Sequence, residues 1–115
     1  MIKGMMAACV AACIYMSAAS AGYISGHELH KMCIGNDNTL ACTTYVAGVV
    51  DMLILMKKLG VEKISQPCFP EGVTAGQLGN VFAKFLRDHP KKRHWEGMVL
   101  VTAAIREAFP CPATD

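Results

Sequence analysis

At 115 residues the chain can close one hydrophobic core and is too short for two independent ones. Eleven Lys and Arg stand against nine Asp and Glu, and only ten against nine once Lys3 leaves with the leader described below. So even a balance excludes a field that would draw in nucleic acid over distance.

The chain begins MIKGMMAACVAACIYMSAASAGY: a sparse positive start at Lys3, an apolar run from Met5 to Met16, then small residues in which Ala19-Ser20-Ala21 fits the pattern a signal peptidase cuts. Residues 1–21 are therefore expected to be a signal peptide cleaved after Ala21, with residues 22–115 as the exported, periplasmic domain. The run is too short for a permanent span, and no other stretch is expected to supply the roughly 20 apolar residues a span needs, so no membrane association is expected after cleavage. Val-Ala-Ala before Cys13 looks like a lipid-attachment box, but the apolar run continues for three residues beyond Cys13, and lipid anchoring there is not expected. Cys9 and Cys13 leave with the leader. The mature chain keeps Cys33, Cys42, Cys68 and Cys111, an even number in an oxidising compartment, where two disulfides are the default.

Ser25-Gly26-His27-Glu28 reads as a capping box that opens a short helix to about Met32, with Gly-Asn-Asp-Asn at 35–38 ending it. The second helix is predicted from Thr39 or Leu40 to Leu59, stopping at Gly60, a residue suited to the left-handed C-terminal position. Cys42, Val46, Val49, Leu53 and Met56 share one of its faces. Thr44, Gly48, Asp51 and Lys58 line the other, but Leu55 interrupts them and residues 52–56 are apolar all round, which predicts a mostly buried, central helix.

Residues 61–72, with two prolines and a glycine, read as a loop. Thr74-Ala75-Gly76-Gln77 is a second capping box, leading into Leu78, Val81, Phe82, Phe85 and Leu86 on one helical face. Asp88-His89-Pro90 ends that helix, and Pro90 suits the first turn of a fourth, whose apolar face is predicted as Met98, Val101, Ile105 and Ala108 with Trp95 folded into the core. No strand pattern competes. The expected fold is all-α: a small four-helix domain of two helical hairpins, stapled by two disulfides. Short connections bring Cys33 near Cys42 and Cys68 near Cys111, which favours those pairings, although four cysteines allow three connectivities and the sequence leaves the other two open.

His27, His30 and Cys33, at i, i+3 and i+6 on the first helix, could hold zinc with His89 or His94. Cys33 has a better use in a disulfide, and no Glu lies where a metal-bound water needs a base, so neither metal nor cofactor is expected. The same disulfides leave no free thiolate for a cysteine nucleophile. Asp51 and Asp88 read as a polar-stripe residue and a turn residue, and Ser25 and Ser65 as a cap and a loop residue, with no nucleophile elbow and no phosphate loop. No catalytic residue is expected, and the chain does not read as an enzyme. That leaves surfaces. Lys91, Lys92 and Arg93 follow Pro90 at what would be a helix start, against the macrodipole preference, which points either to an acidic partner or to a solvated turn.

Cys33 and Cys42 with TTYVAGVVD at 43–51, then CFPEGVTAGQL at 68–78, FLRDHPKKRH at 85–94 and AAIREAFPC at 103–111 resemble, in that order, the Rap/Tai immunity domain, the resistance-associated and type VI amidase immunity proteins. The resemblance covers residues 24–111. It implies a small exported all-helical protein that binds a cognate peptidoglycan amidase toxin, delivered by the type VI secretion system, and blocks its cleft without catalysis. It also implies that His89-Pro90 forms the hairpin turn, with Arg93 or His94 bonding across it. Members are often dimers, and the apolar second helix would suit a homodimer contact, although a buried core accounts for the same residues. Segment 57–66 carries no family motif and would hold specificity, so Lys57, Lys58, Glu62 and Lys63 join Lys91 and Lys92 as candidate partner-binding residues. The alternative is a small periplasmic stress or chaperone-type protein that exposes apolar surface in acid, without a toxin partner.

Overall fold

The computed structural model describes residues 24–35, 39–61 and 66–112; the leader, Cys13, Glu62, Lys63 and Ser65 lie outside them. Four helices follow in order: α1 (Gly26–Ile34), α2 (Thr39–Lys58), α3 (Ala75–Asp88) and α4 (Gly97–Ala108), with a 3-10 turn at Pro90–Lys92. Among the described residues there is no strand, only an isolated antiparallel bridge between Ser25 and Glu96. The all-α fold of two hairpins is as the sequence implies.

Both capping boxes form. The Ser25 amide donates to Glu28 Oε2 at 2.8 Å, while the Glu28 amide donates to Ser25 Oγ at 3.4 Å. Thr74 and Gln77 repeat the exchange at 2.9 and 3.2 Å. Each box satisfies two amides that a helix start leaves without partners, a contribution of about 1 kcal/mol for the cap. At the end of α2, Gly60 takes φ 73°. Its amide donates to the Lys57 carbonyl at 3.1 Å and the Val61 amide to the Met56 carbonyl at 3.0 Å, the pair of bonds that defines a Schellman stop.

The core collects Leu29 from α1, Val46 from α2, Phe82 and Leu86 from α3, and Leu100, Val101 and Ile105 from α4, all essentially without solvent contact. Cys33–Cys42 and Cys68–Cys111 are the disulfides, with Cα separations of 5.0 and 4.8 Å, so the pairing favoured from the hairpin layout holds. In the chain-entropy picture loops of these lengths contribute about 2.7 and 4 kcal/mol.

Three expectations need correction. First, α4 does not begin at Pro90. The His89 amide closes α3 on the Phe85 carbonyl, the chain turns through Lys92 to His89 and Trp95 to Lys92 bonds, and only Gly97 resumes the helix. Pro90 fits the 3-10 turn as well as an α-helical first turn, because both ask for the same φ. With the later start, the buried face of α4 is Gly97, Leu100, Val101, Ala104 and Ile105; Met98 and Ala108 are exposed. Second, Trp95 lies outside the core at 42 % exposure. Third, α2 is not mostly buried: Cys42, Val46, Val49, Val50 and Leu53 enter the core, but Leu40, Met52, Ile54 and Leu55, and Leu59 just past its end, face outward. By length and composition this one helix is also apolar enough to cross a membrane, contrary to the expectation that no stretch past the leader is.

The starts of α1 and α4 meet glycine to glycine. The Gly26 amide donates to the Trp95 carbonyl at 2.9 Å and the Gly97 amide to the Ile24 carbonyl at 2.7 Å. A Cβ on Gly26 would lie 2.6 Å from the Arg93 carbonyl oxygen and against Leu100; one on Gly97 would lie 2.8 Å from the Ile24 oxygen and against Leu29. The Ile24 oxygen is itself the acceptor of the Gly97 bond, and the Arg93 backbone lies two residues from the Trp95 carbonyl that holds Gly26, so neither can shift without disturbing the crossing. Gly26→Ala and Gly97→Ala should therefore each destabilise by about 1–3 kcal/mol, the ordinary cost of overpacking. Gly48→Ala, in mid-helix with nothing near its missing Cβ, should stabilise by up to about 1 kcal/mol. Urea unfolding of the three variants reads both signs.

Candidate partner-binding surfaces

The turn after α3 carries the longest run of basic residues, Lys91 to Arg93, and its geometry sorts them into structural and free groups. Arg93 donates from Nε to the Leu86 carbonyl at 2.8 Å, placing a cation at the negative end of α3. His89 brings Nδ1 within 2.8 Å of the Phe85 carbonyl and stacks on the Phe85 ring with centroids 4.1 Å apart. Because a carbonyl only accepts, Nδ1 carries the proton in that contact. Thus His89 and Arg93 hold the hairpin turn, Arg93 rather than His94 making the bond across it. Asp88 pairs with Lys84 one helical turn back, and this hydrogen bond, with help from nearby positive charge, keeps its carboxyl below the usual range. Asp88 is thus the last residue of α3, in an i,i+4 helical pair, and not part of the turn as expected from the sequence.

Lys91 and Lys92 have no such task. Lys92 lies half-buried with Nζ 5.5 Å from the Trp95 ring centroid, a cation–π contact that also covers part of the indole. Lys91 is exposed and, among the described residues, makes no hydrogen bond or ion pair. Since the two lysines sit in a 3-10 turn and not at the start of α4, the macrodipole argument for their being misplaced no longer applies. Lys57 and Lys58 are exposed in the last turn of α2, where positive charge suits the helix dipole. Lys91 and Lys92 therefore belong to one connection and Lys57 and Lys58 to another. Glu62 and Lys63 lie outside the described residues.

Sequence reasoning missed a second surface. Met52 and Met56 of α2 face Met98 and Val99 of α4 across a shallow apolar groove, floored by Val49 and Leu53. Exposures of 42 % for Met52, 45 % for Met98 and 48 % for Val99 mean that this groove is open to water. Methionine side chains are flexible and polarizable, so this lining can repack against surfaces of irregular shape. The signal was present in the all-round apolarity of residues 52–56, which periodicity alone cannot assign to a core or to an uncovered face.

On α1, the zinc set weighed above does not assemble: Cys33 is in a disulfide, His27 is exposed and His30 half-buried. Among the described residues no three His, Cys, Asp or Glu side chains come close enough to hold an ion. Asp51 is exposed on α2.

Residues 25–111 match the sequence profile of the Rap1a immunity proteins. The chain belongs to that family. Neither a curated protein nor a solved structure matches it. The match spans all four helices and both disulfides, so the Rap1a domain is the unit just described, from the Ser25 cap to Cys111.

Acid should loosen this Rap1a domain through His30. Burial lowers its pKa from the ordinary 6.5, and the positive charges of Arg93, His27 and Arg87 push in the same direction. The folded state then binds fewer protons than the unfolded one just below pH 6.5, so the contribution is fully present above that pH and is lost as pH falls towards the lowered value. The Glu28 carboxyl, held low chiefly by the Ser25 amide, loses its contribution further down, below its own ordinary value of 4.5. Urea midpoints should fall between about pH 7 and about pH 5.5, and His30→Gln should flatten that slope. An unchanged slope in the variant would assign the acid sensitivity to other groups.

Proposed function

We propose that this protein is a periplasmic immunity protein which binds a peptidoglycan amidase effector of the type VI secretion system and occludes its cleft, without catalysis. The family match over residues 25–111 carries the reading. It is supported by two disulfides, which are consistent with an exported chain, and by surfaces suited to contact. Lys91 and Lys92, on a turn braced by Arg93 and His89, offer rigidly mounted positive charge. Lys57 and Lys58 open segment 57–66, to which Glu62 and Lys63 also belong, and we assign specificity for one toxin to this segment.

The protein is further proposed to pair with a second copy through α2. Asp51, Leu55 and Lys58 lie at i, i+4 and i+7 on its exposed face. An acid, a leucine and a lysine in line are self-complementary about a twofold axis at Leu55, where Asp51 of one copy meets Lys58 of the other.

Pull-down with the oxidised protein from periplasmic and secreted extracts of its own strain, read by mass spectrometry, should recover one small peptidoglycan amidase, and the pure protein should then inhibit peptidoglycan hydrolysis stoichiometrically. Lys91→Glu with Lys92→Glu should slow association at low salt, with only the small drop in unfolding midpoint that loss of the Lys92–Trp95 contact brings. Retained inhibition with an unaltered rate would move the contact to residues 57–66. Capture of many unrelated proteins, increasing in acid, would favour the chaperone alternative, for which the open apolar groove is the supporting observation. Leu55→Glu should convert the dimer to monomer by light scattering with little loss of stability, since Leu55 is 46 % exposed.

A further inference from the structure

The two disulfides differ in what surrounds them. Cys33 and Cys42 are 9 % and 3 % exposed and belong to the core cluster between α1 and α2. Cys68 is half-buried and Cys111 exposed, past the last turn of α4. A thiolate can attack only a sulfur it can reach, so the pairs should differ in their rate of exchange.

Cys68 sits in a strap, residues 66–73, that runs up to the Thr74 cap of α3. Apart from the disulfide, the strap is tied to the tail of α4 by the Cys68 amide donating to the Phe109 carbonyl at 2.9 Å and by the Phe69 ring packed on Phe109 with centroids 5.2 Å apart. Phe69, Pro70 and Val73 form one wall of an apolar groove whose other wall is Ala47, Val50 and Ile54 of α2. Gln66 works against this closed arrangement. Its Nε2 is buried with no hydrogen-bond partner among the described residues, so opening the strap would return an unsatisfied donor to water.

What would survive opening is equally defined. The Thr74–Gln77 capping box lies beyond the strap and holds the start of α3 without it. The Phe109 amide closes α4 on the Ile105 carbonyl. Neither bond involves Cys68 or Cys111.

We infer that Cys68–Cys111 is a redox latch: a dithiol reduces it ahead of Cys33–Cys42 and frees residues 66–73 from α4, opening the apolar groove against α2 while the four helices remain. The chemistry is a two-electron exchange. A thiolate of the dithiol attacks Cys111 Sγ, the S–S bond breaks, and Cys68 leaves as a thiolate that takes a proton from water. The reductant's second thiolate then attacks the mixed disulfide, releasing Cys111 as a thiol and the reductant as a cyclic disulfide. The latch stands on exposure and packing and does not depend on the toxin-binding reading.

The test is a graded dithiothreitol reduction of the oxidised protein, quenched with iodoacetamide and mapped by peptide mass spectrometry, with amide hydrogen exchange on the same samples. Cys68 and Cys111 should be alkylated at least about tenfold faster than Cys33 and Cys42. At that stage exchange should rise in residues 66–73 and 109–112 and stay slow in α1 and α2. Cys68→Ser with Cys111→Ser should show the same exchange pattern without reductant. Simultaneous reduction of both pairs, earlier loss of Cys33–Cys42, an unchanged strap after alkylation, or a double variant that loses protection in all four helices would each overturn the proposal.

Discussion

The contact on which the remainder depends is the crossing of two backbones at Gly26 and Gly97. Each hairpin is closed within itself, the first by Cys33–Cys42 at its turn and the second by Cys68–Cys111 at its open end. Neither disulfide joins one hairpin to the other. That join is made by packing in the core and, at one end, by the reciprocal bonds from the Gly26 amide to Trp95 and from the Gly97 amide to Ile24. Both donors belong to first-turn residues, whose amides have no partner inside their own helices, so the crossing satisfies groups that would otherwise need water. It works only because neither residue has a side chain: a Cβ on either would meet a carbonyl oxygen of the other strand of the crossing. The crossing also fixes the turn that precedes α4, because Arg93 backbone atoms pack against Gly26 while its Nε reaches Leu86. The position of Lys91 and Lys92 is thus a consequence of two glycines elsewhere in the fold.

How much of this was legible in the sequence depended on the range of the deciding interaction. Ser25 with Glu28, Thr74 with Gln77 and Gly60 after Leu59 are signals within one helical turn, and all three form as read. The cysteine pairing followed because short connections place helix ends side by side. The start of α4 did not follow, because Pro90 is compatible with either kind of helix and the choice is made by the Trp95 carbonyl, which is committed to Gly26 about seventy residues earlier in the chain. Trp95 and Met98 were misplaced for the same reason: a start at Gly97 puts Leu100 and Ala104 on the inner face and turns Met98 outward. For α2, a stripe such as Val46, Val49 and Leu53 identifies an inner face but says nothing of how far burial extends round the helix. Ile54 and Leu55 could be placed only by knowing what packs there.

The candidate binding residues divide on similar lines. In the segment His89 to Trp95 the groups that look most reactive are the most fully used. His89 and Arg93 both serve carbonyls at the end of α3, where their hydrogen bonds and charge offset unpaired acceptors. Lys92 is partly occupied by Trp95, and Lys91 by nothing among the described residues. A composition count treats these basic residues alike, whereas the geometry leaves one or two of them available to a partner. Apolar residues show the reverse pattern: sequence consigned Met52, Ile54 and Leu55 to the core, and the fold returns them to the surface.

The disulfides bring these strands together. In the chain-entropy picture the longer loop gives the larger stabilisation, about 4 kcal/mol for Cys68–Cys111 against about 2.7 for Cys33–Cys42. The domain has therefore placed its stronger cross-link where reagents can reach it and its weaker one inside the core. Cys33 and Cys42 gain from that burial, since they act as apolar core residues as well as a link, and their hairpin turn is short enough to hold them together by packing. Cys68 and Cys111 join segments 43 residues apart that share one backbone bond and one aromatic pair. Without a covalent link those few contacts would have to bear the closure of a long loop by themselves. Phe69, Val73 and Phe109 reach only the edge of the core, so the disulfide supplies the tie between strap and tail that partial burial leaves weak.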